Sequence, residues 1–377
     1  MILQELTLVN FKNIAGAELQ FSPKVNCFLG DNGMGKSNLL DALYFMSFCK
    51  SFTGATDPML VMRGGGFAML KGRYQRRGLE EEVAAAVQPG RPKSFKRGGK
   101  AYQRLSQHIG AFPLVLLSPA DMTLVGGEPS ERRRFIDQII SQRDAPYLDA
   151  LVRYNHALEQ RNKLLKQECA DGSLFDALEA QLEIAGDYIS RRRVENIARL
   201  EEIFRPYYRA IAECDEQPGL SYTGRDYSAE GGLAEHLRLS RGRDSILRYT
   251  ASGPHRDDIE FSLDGMPLRR SASQGQTKTF TSALRFAQYE LLRESLGIRP
   301  LLLLDDIFDK LDAGRVRRIM AIVGGSDSFG QIFITDTNRK HLDEIVADIP
   351  QSHISDPYRL WHVEQGRFTP IDTHRSL

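Results

Sequence analysis

The spacing of apolar residues changes character repeatedly along the chain. Ile2, Leu6 and Leu8 mark an apolar opening segment, and Val25 to Leu29 is a β-forming run that stops at Gly30, so the first thirty residues read as strands. From Lys36 the period becomes helical through Leu39, Leu40, Leu43 and Met46, which predicts a strand–loop–helix unit around Gly30 to Ser37. Phe67 to Val87 reads as further strands, and Phe95 to Tyr102 as a hairpin whose Gly98-Gly99 supplies the positive φ angles of a tight turn. The middle of the chain differs. Phe135, Ile139, Tyr147, Leu151, Tyr154, Leu158 and Leu165 keep helical spacing until Asp171-Gly172-Ser173 breaks it. Leu174, Leu178, Leu182, Ala185, Ile189, Ile197, Leu200 and Phe204 then resume it. Two antiparallel helical segments are expected, each on the order of 30 residues or about 45 Å. The last third returns to mixed elements: a hairpin around Asp264-Gly265, a helix over Thr277 to Leu296, and strands over Pro300 to Asp306 and Ile332 to Thr335. The expected architecture is one α/β domain, residues 1–128 and 246–377, split by a mainly helical inserted domain over 129–245.

Composition narrows the class without deciding the partner. With 377 residues, 41% hydrophobic and 26% charged, the chain can bury a substantial core. Its longest strongly apolar runs, such as Leu301 to Leu304, are far too short to span a bilayer. Gln4 and Glu5 stand where a signal peptide would be apolar, so a cytoplasmic protein is expected, with no membrane partner. Cys27, Cys49, Cys169 and Cys214 form neither a CxxC pair nor a metal-ligand spacing and read as reduced thiols. The net charge of +1 gives no global sign of a polyanion partner. Basic residues nevertheless cluster: Arg91, Lys93, Lys96, Arg97, Lys100 and Arg104; Arg132 to Arg134; Arg191 to Arg193; and Arg238, Arg241, Arg243 and Arg248.

Three motifs carry chemistry. Gly30-Asp31-Asn32-Gly33-Met34-Gly35-Lys36-Ser37 fits G-x-x-x-x-G-K-S, in which glycines let backbone N–H groups turn inward around phosphate oxygens at a helix N-terminus. Lys36 then reaches the β- and γ-phosphates, and the Ser37 hydroxyl ligates Mg²⁺. Leu301-Leu302-Leu303-Leu304 ends in Asp305-Asp306: Asp305 suits the Mg²⁺ water shell, and Asp306 either positions the attacking water or caps the following loop. Between them, Ser271-Ala272-Ser273-Gln274-Gly275-Gln276 precedes a helix, either as a second anion site or simply as an N-cap. In this order the three motifs resemble those of ABC-type ATPases. That resemblance implies an ABC-type P-loop ATPase head, with the serine-glycine turn of one protomer binding the γ-phosphate held by the other. ATP would then hold a head-to-tail homodimer together.

Longer stretches resemble one bacterial family, the recombination mediators of the RecF type. They are NFKN (Asn10 to Asn13), GDNGMGKSN (Gly30 to Asn38), LSPADMTLVGGEPSERRRFID (Leu117 to Asp137), GPHRDD (Gly253 to Asp258), SQGQ (Ser273 to Gln276) and LLLLDDIFDKLD (Leu301 to Asp312). The resemblance spans nearly the whole chain. It implies an ATP-dependent dimer acting on DNA in gap repair, replication restart and induction of the damage response, with RecR and RecO as partners and slow hydrolysis. It assigns Gly30, Asn32, Gly33, Gly35, Lys36, Ser37 and Asn38 to nucleotide, Ser37 and Asp305 to Mg²⁺, and Lys36 and Asp306 to hydrolysis. Ser273, Gly275 and Gln276 would act in trans, and Asp309 to Asp312 would form a loop crossing to the other protomer. Two features depart from transporter ATPases. Ile332 to Thr335 runs into Thr335-Asp336-Thr337 rather than a switch histidine, and Ser118-Pro119-Ala120-Asp121 is the candidate for the glutamine loop. The insert is also far too short for the coiled-coil tether of chromosome-structure and Rad50-type proteins.

The leading expectation is an ATP-switched DNA clamp with phosphate contacts from the stretch around Lys96, Arg97 and Lys100 and from arginines on the helical insert. A nucleotide-switched protein-interaction module that holds no DNA stays open, because the net charge is near neutral. The specific blocks, the helical insert and the missing switch histidine count against a transporter subunit. A nuclease would need a metal-binding cluster beyond the two Walker-type acids, and the sequence offers none.

Overall fold

The computed structural model describes residues 1–168, 171–307, 313–325, 329–339 and 358–371. The chain divides into two compact units: Met1–Asp121, Tyr207–Glu213 and Lys278–Leu377 form the first, and Met122–Pro206 and Cys214–Thr277 the second. No helix among the described residues is long and apolar enough to cross a membrane. Cys27 and Cys49 are buried free thiols and Cys214 an exposed one; Cys169 lies outside the described residues.

Among the described residues, the first unit contains two six-stranded sheets. One has the spatial order Ile14–Gln20, Ile2–Phe11, Ala68–Arg76, Leu79–Val87, Ser94–Arg97, Lys100–Ala101, with antiparallel neighbours throughout. In strand Ala68–Arg76, residues 68–75 alternate strictly between buried and exposed positions, the mark of a sheet packed on one face. The other has the order Arg367–Ile371, Tyr358–Glu364, Val25–Leu29, Ile332–Asp336, Leu301–Asp305, Leu114–Leu117, and only its first pair is antiparallel. Leu114–Leu117, Leu301–Asp305 and Ile332–Asp336 are buried at every residue, as parallel strands covered on both faces must be.

Helix Lys36–Phe48 shares one core with both sheets. Leu39, Leu40, Leu43, Phe45 and Met46 join Leu3, Leu6, Leu70 and Val83 of the first sheet and Leu301, Leu303 and Phe333 of the second. A helix buried on every face over residues 39–48 is a core helix. Gln331, wholly buried, ties the sheets directly: its side chain accepts from Leu3 N and donates to Leu3 O, both at 2.7 Å, and donates to Ser22 O at 2.8 Å.

The predicted hairpins form. Gly98 and Gly99 take φ of 54° and 78° between Ser94–Arg97 and Lys100–Ala101, and Asp264 and Gly265 take 50° and 75° between Asp258–Leu263 and Met266–Pro267. The helical middle departs from expectation. The first predicted segment is two helices, Pro129–Arg143 and Ala145–Lys166, because Asp144 leaves the helical region (φ −133°, ψ 92°) and its carboxylate caps Tyr147 N at 2.9 Å. The second segment is one 41-residue helix, Gly172–Ala212, that continues through Pro206. A strand that the spacing did not reveal, Pro218–Thr223, pairs with Asp258–Leu263.

Charged side chains hold the second unit together internally. Arg161, fully buried, donates to Glu179 (3.1 Å), Asp244 (2.7 Å), Thr250 Oγ1 (2.8 Å) and Leu237 O (3.2 Å). Arg132 makes a two-pronged bond to Asp258, both arms at 2.8 Å, and Arg133 donates to Asp257 O at 2.7 Å. Arg193 donates to Asp137 (2.9 and 3.0 Å) and to Pro254 O (2.7 Å). The blocks around Arg132 and Gly253 are therefore partners in one polar core. Removing one member of such a network leaves the other charge buried and unpaired. Arg161→Met is expected to destabilise the protein by about 3–5 kcal/mol, read by calorimetry; an unchanged unfolding profile would show that the network contributes nothing.

Candidate functional site

Strand register assembles the site. Leu29 lies opposite Asp336, and Thr335 opposite Asp305, so Val25–Leu29, Ile332–Asp336 and Leu301–Asp305 end together at one edge of the parallel sheet. Carboxyl ends of parallel strands are where such sheets bind ligands. Gly30 to Ser37 leaves this edge and enters helix Lys36–Phe48. Gly33 and Gly35 take φ of 80° and 114°, which L side chains rarely adopt. Gly30 is required for a different reason: a Cβ there would stand 2.3 Å from Val363 O.

The electrostatics centre on Lys36 and Asp305. Lys36 is only 6% exposed, and its ammonium donates to the carbonyls of Gly30 and, at 2.9 Å, Asp31. Burial pulls its pKa down, against the opposing pull of Asp306, Asp305, Asp336 and Asp31. Asp305 Oδ1 accepts from Ser37 Oγ at 2.9 Å and from Thr335 Oγ1 at 2.7 Å. Burial raises the Asp305 pKa, and these two hydrogen bonds work against that rise. Asp306 takes a left-handed φ of 48°, with its N–H on the carbonyl and hydroxyl oxygens of Thr335, both at 3.2 Å. The strand lacking a switch histidine thus supplies a hydroxyl to Asp305 and a buried carboxylate, Asp336, near Lys36.

No group of three or more His, Cys, Asp or Glu among the described residues could hold a metal by itself. The Ser37 hydroxyl and Asp305 carboxylate are hard oxygen donors in contact, which fits a Mg²⁺ that takes most of its ligands from water and phosphate.

The surroundings of the other predicted residues differ. Ser273 and Gln276, in the second unit, form a reciprocal capping box: Gln276 N donates to Ser273 Oγ at 3.2 Å, and Ser273 N to Gln276 Oε1 at 2.8 Å. Gly275 occupies the first turn of that helix, Gln274–Leu296. Ser118–Asp121 follows the strand beside Asp305's, where Asp121 accepts from Ser118 N at 3.0 Å and from Arg285 at 2.5 Å. Lys96 and Lys100 are exposed on an edge hairpin, whereas Arg97 is paired with Glu81 at 2.7 Å. Asn32 is exposed. Asp309 to Asp312 lies outside the described residues.

Sequence reasoning missed three residues around the loop. Thr335 is one. Asn13 accepts from Asn38 Nδ2 at 2.8 Å and donates to Met34 O at 3.4 Å, and Gly366 N donates to Met34 O at 2.8 Å. Asn13 had a visible signal, as the last residue of the NFKN block. Gly366 had none, because its contact joins residues far apart in the chain.

The two kinds of glycine predict an order of damage. Gly30→Ala drives a Cβ against the Val363 carbonyl, for a cost of about 1–3 kcal/mol. Gly33→Ala meets no atom of the described residues within 4 Å and should cost about 1–2 kcal/mol from its left-handed backbone alone. Melting temperatures measured without nucleotide should fall more for Gly30→Ala; the reverse order would contradict the close approach to Val363.

Residues 1–71 match the AAA ATPase domain family. Over its whole length the chain is 47% identical to the DNA replication and repair protein RecF of Parabacteroides distasonis, covering 99% of this chain and 100% of that one. The RecF of Porphyromonas gingivalis strain W83 is 47% identical, with 97% and 99% covered. A solved structure of the recombination mediator protein RecF with ATP, in the RecFOR pathway, superposes with a TM-score of 0.86 at 27% identity, over 98% of each chain. An Smc head domain from Pyrococcus furiosus shares the fold alone, with a TM-score of 0.57 at 16% identity, over 98% of this chain and 96% of that one. An ABC-type head split by a helical insertion, with relatives 47% identical from end to end, places this chain in the RecF family.

Proposed function

We propose that this protein is an ATP-dependent DNA-binding repair factor that dimerises on ATP and binds DNA at gaps or single-stranded/duplex junctions without reading sequence. In the cytoplasm it supports recombinational repair, replication and SOS induction, acts with RecR- and RecO-like mediators, and uses slow, DNA-stimulated hydrolysis as a switch. The observation that carries this reading is the contact of Ser37 with Asp305 beside the Lys36 loop, in a chain of the RecF family.

Each residue's part follows from its surroundings. Lys36 exchanges two neutral carbonyl acceptors for the charged β- and γ-phosphate oxygens, which makes stronger, charge-assisted bonds. Gly33 and Gly35 let the backbone wrap those oxygens. Ser37 and Asp305 hold Mg²⁺, which when bound neutralises phosphate charge. Thr335 keeps Asp305 oriented and favours its ionised form. Asp306, held by its backbone at the strand end, positions the attacking water. Ser273, Gly275 and Gln276, at a helix N-terminus already ordered by its capping box, receive the γ-phosphate of a second protomer.

Lys36→Ala should abolish ATP binding. Asp306→Asn should bind ATP and accumulate as the dimer, because the trapped triphosphate bridges two protomers. Size-exclusion chromatography with light scattering measures this, and a monomeric Asp306→Asn protein in saturating ATP and Mg²⁺ would remove the dimer from the account.

DNA contact divides the basic hairpin. Arg97 is engaged with Glu81, so Lys96 and Lys100 supply the available charge. The double variant Lys96→Glu and Lys100→Glu should weaken DNA retention and lower the slope of log K against log salt by about 0.7–0.9 per lost phosphate contact. Gel-shift titration at two salt concentrations, with and without ATP, checks this. Unchanged retention would show that the hairpin does not touch DNA, and no retention under any condition would favour the protein-interaction module.

A further inference from the structure

Two turns from distant parts of the first unit meet behind the phosphate loop. Asn13 lies between strands Ile2–Phe11 and Ile14–Gln20, and Gly366 between Tyr358–Glu364 and Arg367–Ile371. Both reach the Met34 carbonyl, Gly366 through its N–H at 2.8 Å and Asn13 through Nδ2 at 3.4 Å. The Asn13 Oδ1 accepts from Asn38 Nδ2 at 2.8 Å. There is no spare room between these parts. A Cβ on Gly35 would stand 2.9 Å from Asn13 Nδ2 and 3.3 Å from Gly366 Cα, and one on Gly366 would stand 2.3 Å from Asn13 O.

We infer that Asn13, held by Asn38 and backed by Gly366, is a positioning residue that aims the Gly35 N–H at the bound phosphates; this rests on the reading that Gly30 to Ser37 holds them. The peptide between Met34 and Gly35 is a plane in which C=O and N–H point in opposite directions. Two donors hold the Met34 carbonyl toward the rear turns, so the Gly35 N–H faces away from them. The left-handed φ of Gly35 makes this orientation accessible. Without the Asn13 donor the Met34 carbonyl keeps only the Gly366 N–H, so the peptide rotates more freely, and part of the time the loop presents a carbonyl rather than an N–H to an anion. Asn38, one residue past Ser37, acts in this scheme through Asn13, to which one N–H of its amide is bonded.

The test is calorimetric titration with ATP and Mg²⁺ of the wild type, Asn13→Ala, Asn38→Ala and the double variant. Each single change should raise Kd about three- to tenfold, the range for one neutral hydrogen bond. The double variant should be little worse than Asn13→Ala, because the two amides act as a unit. Melting temperature without nucleotide should change little, while amide hydrogen exchange rises over residues 30–37 alone, a local loosening that a general structural role would not give. Should Asn13→Ala fail to fold, Asn38→Ala carries the same test. Wild-type affinity in the folded single variants overturns the brace, and so do additive losses, which independent contacts with nucleotide would produce. If the wild-type chain itself binds no ATP, the loop reading and the brace fall together; if it binds and the variants match it, the brace alone falls.

Discussion

A carboxylate held out of water at the end of a buried strand depends on the hydroxyls that reach it. Asp305 is 6% exposed, and Ser37 and Thr335 both donate to its Oδ1. Ser37 lies 268 residues away in sequence, so this contact exists only if the parallel sheet closes in the right register. A slip of one residue in either neighbouring strand would turn Asp305 or Thr335 to the opposite face. The arrangement of helix, sheets and loop can be read as the means of holding that contact.

The first unit meets this demand by burying the loop's helix on all sides. Gln331 joins the two sheets behind it, and Val363 approaches Gly30 so closely that only glycine fits. Rigid elements therefore surround the loop before any ligand arrives. Such preorganisation lowers the cost of ordering a binding site. The second unit uses different physics: its interior carries Arg132, Arg161 and Arg193, each matched by carboxylates or carbonyls. Buried networks of this kind favour one arrangement over others, because a misplaced partner leaves a charge without compensation.

What the sequence disclosed was local chemistry. The G-x-x-x-x-G-K-S run, the acids after Leu304 and the glycine turns at Gly98-Gly99 and Asp264-Gly265 each need only neighbouring residues to declare themselves. The break at Asp144 was legible in principle, since Asp followed by Ala-Pro is an N-cap signal, but the continuing apolar period masked it. Pro218–Thr223 was not legible, because a strand that short is defined by its partner, Asp258–Leu263. Charge was the least transparent layer. Arg132 to Arg134 and Arg191 to Arg193 look like basic patches along the chain, yet Arg132 and Arg193 are interior residues with partners more than fifty positions away. A run of arginines reports available positive charge only once its acids are located.

Because the account rests on Ser37 and Asp305 acting jointly on a bound triphosphate, the dependence of ATP affinity on Mg²⁺ tests it most directly. Titration of ATP in the presence and absence of Mg²⁺ should show that the cation strengthens binding to the wild type. That gain should disappear in Asp305→Asn, which keeps the shape of the side chain and removes its charge. An equal gain in both proteins would contradict the assignment and place the cation elsewhere.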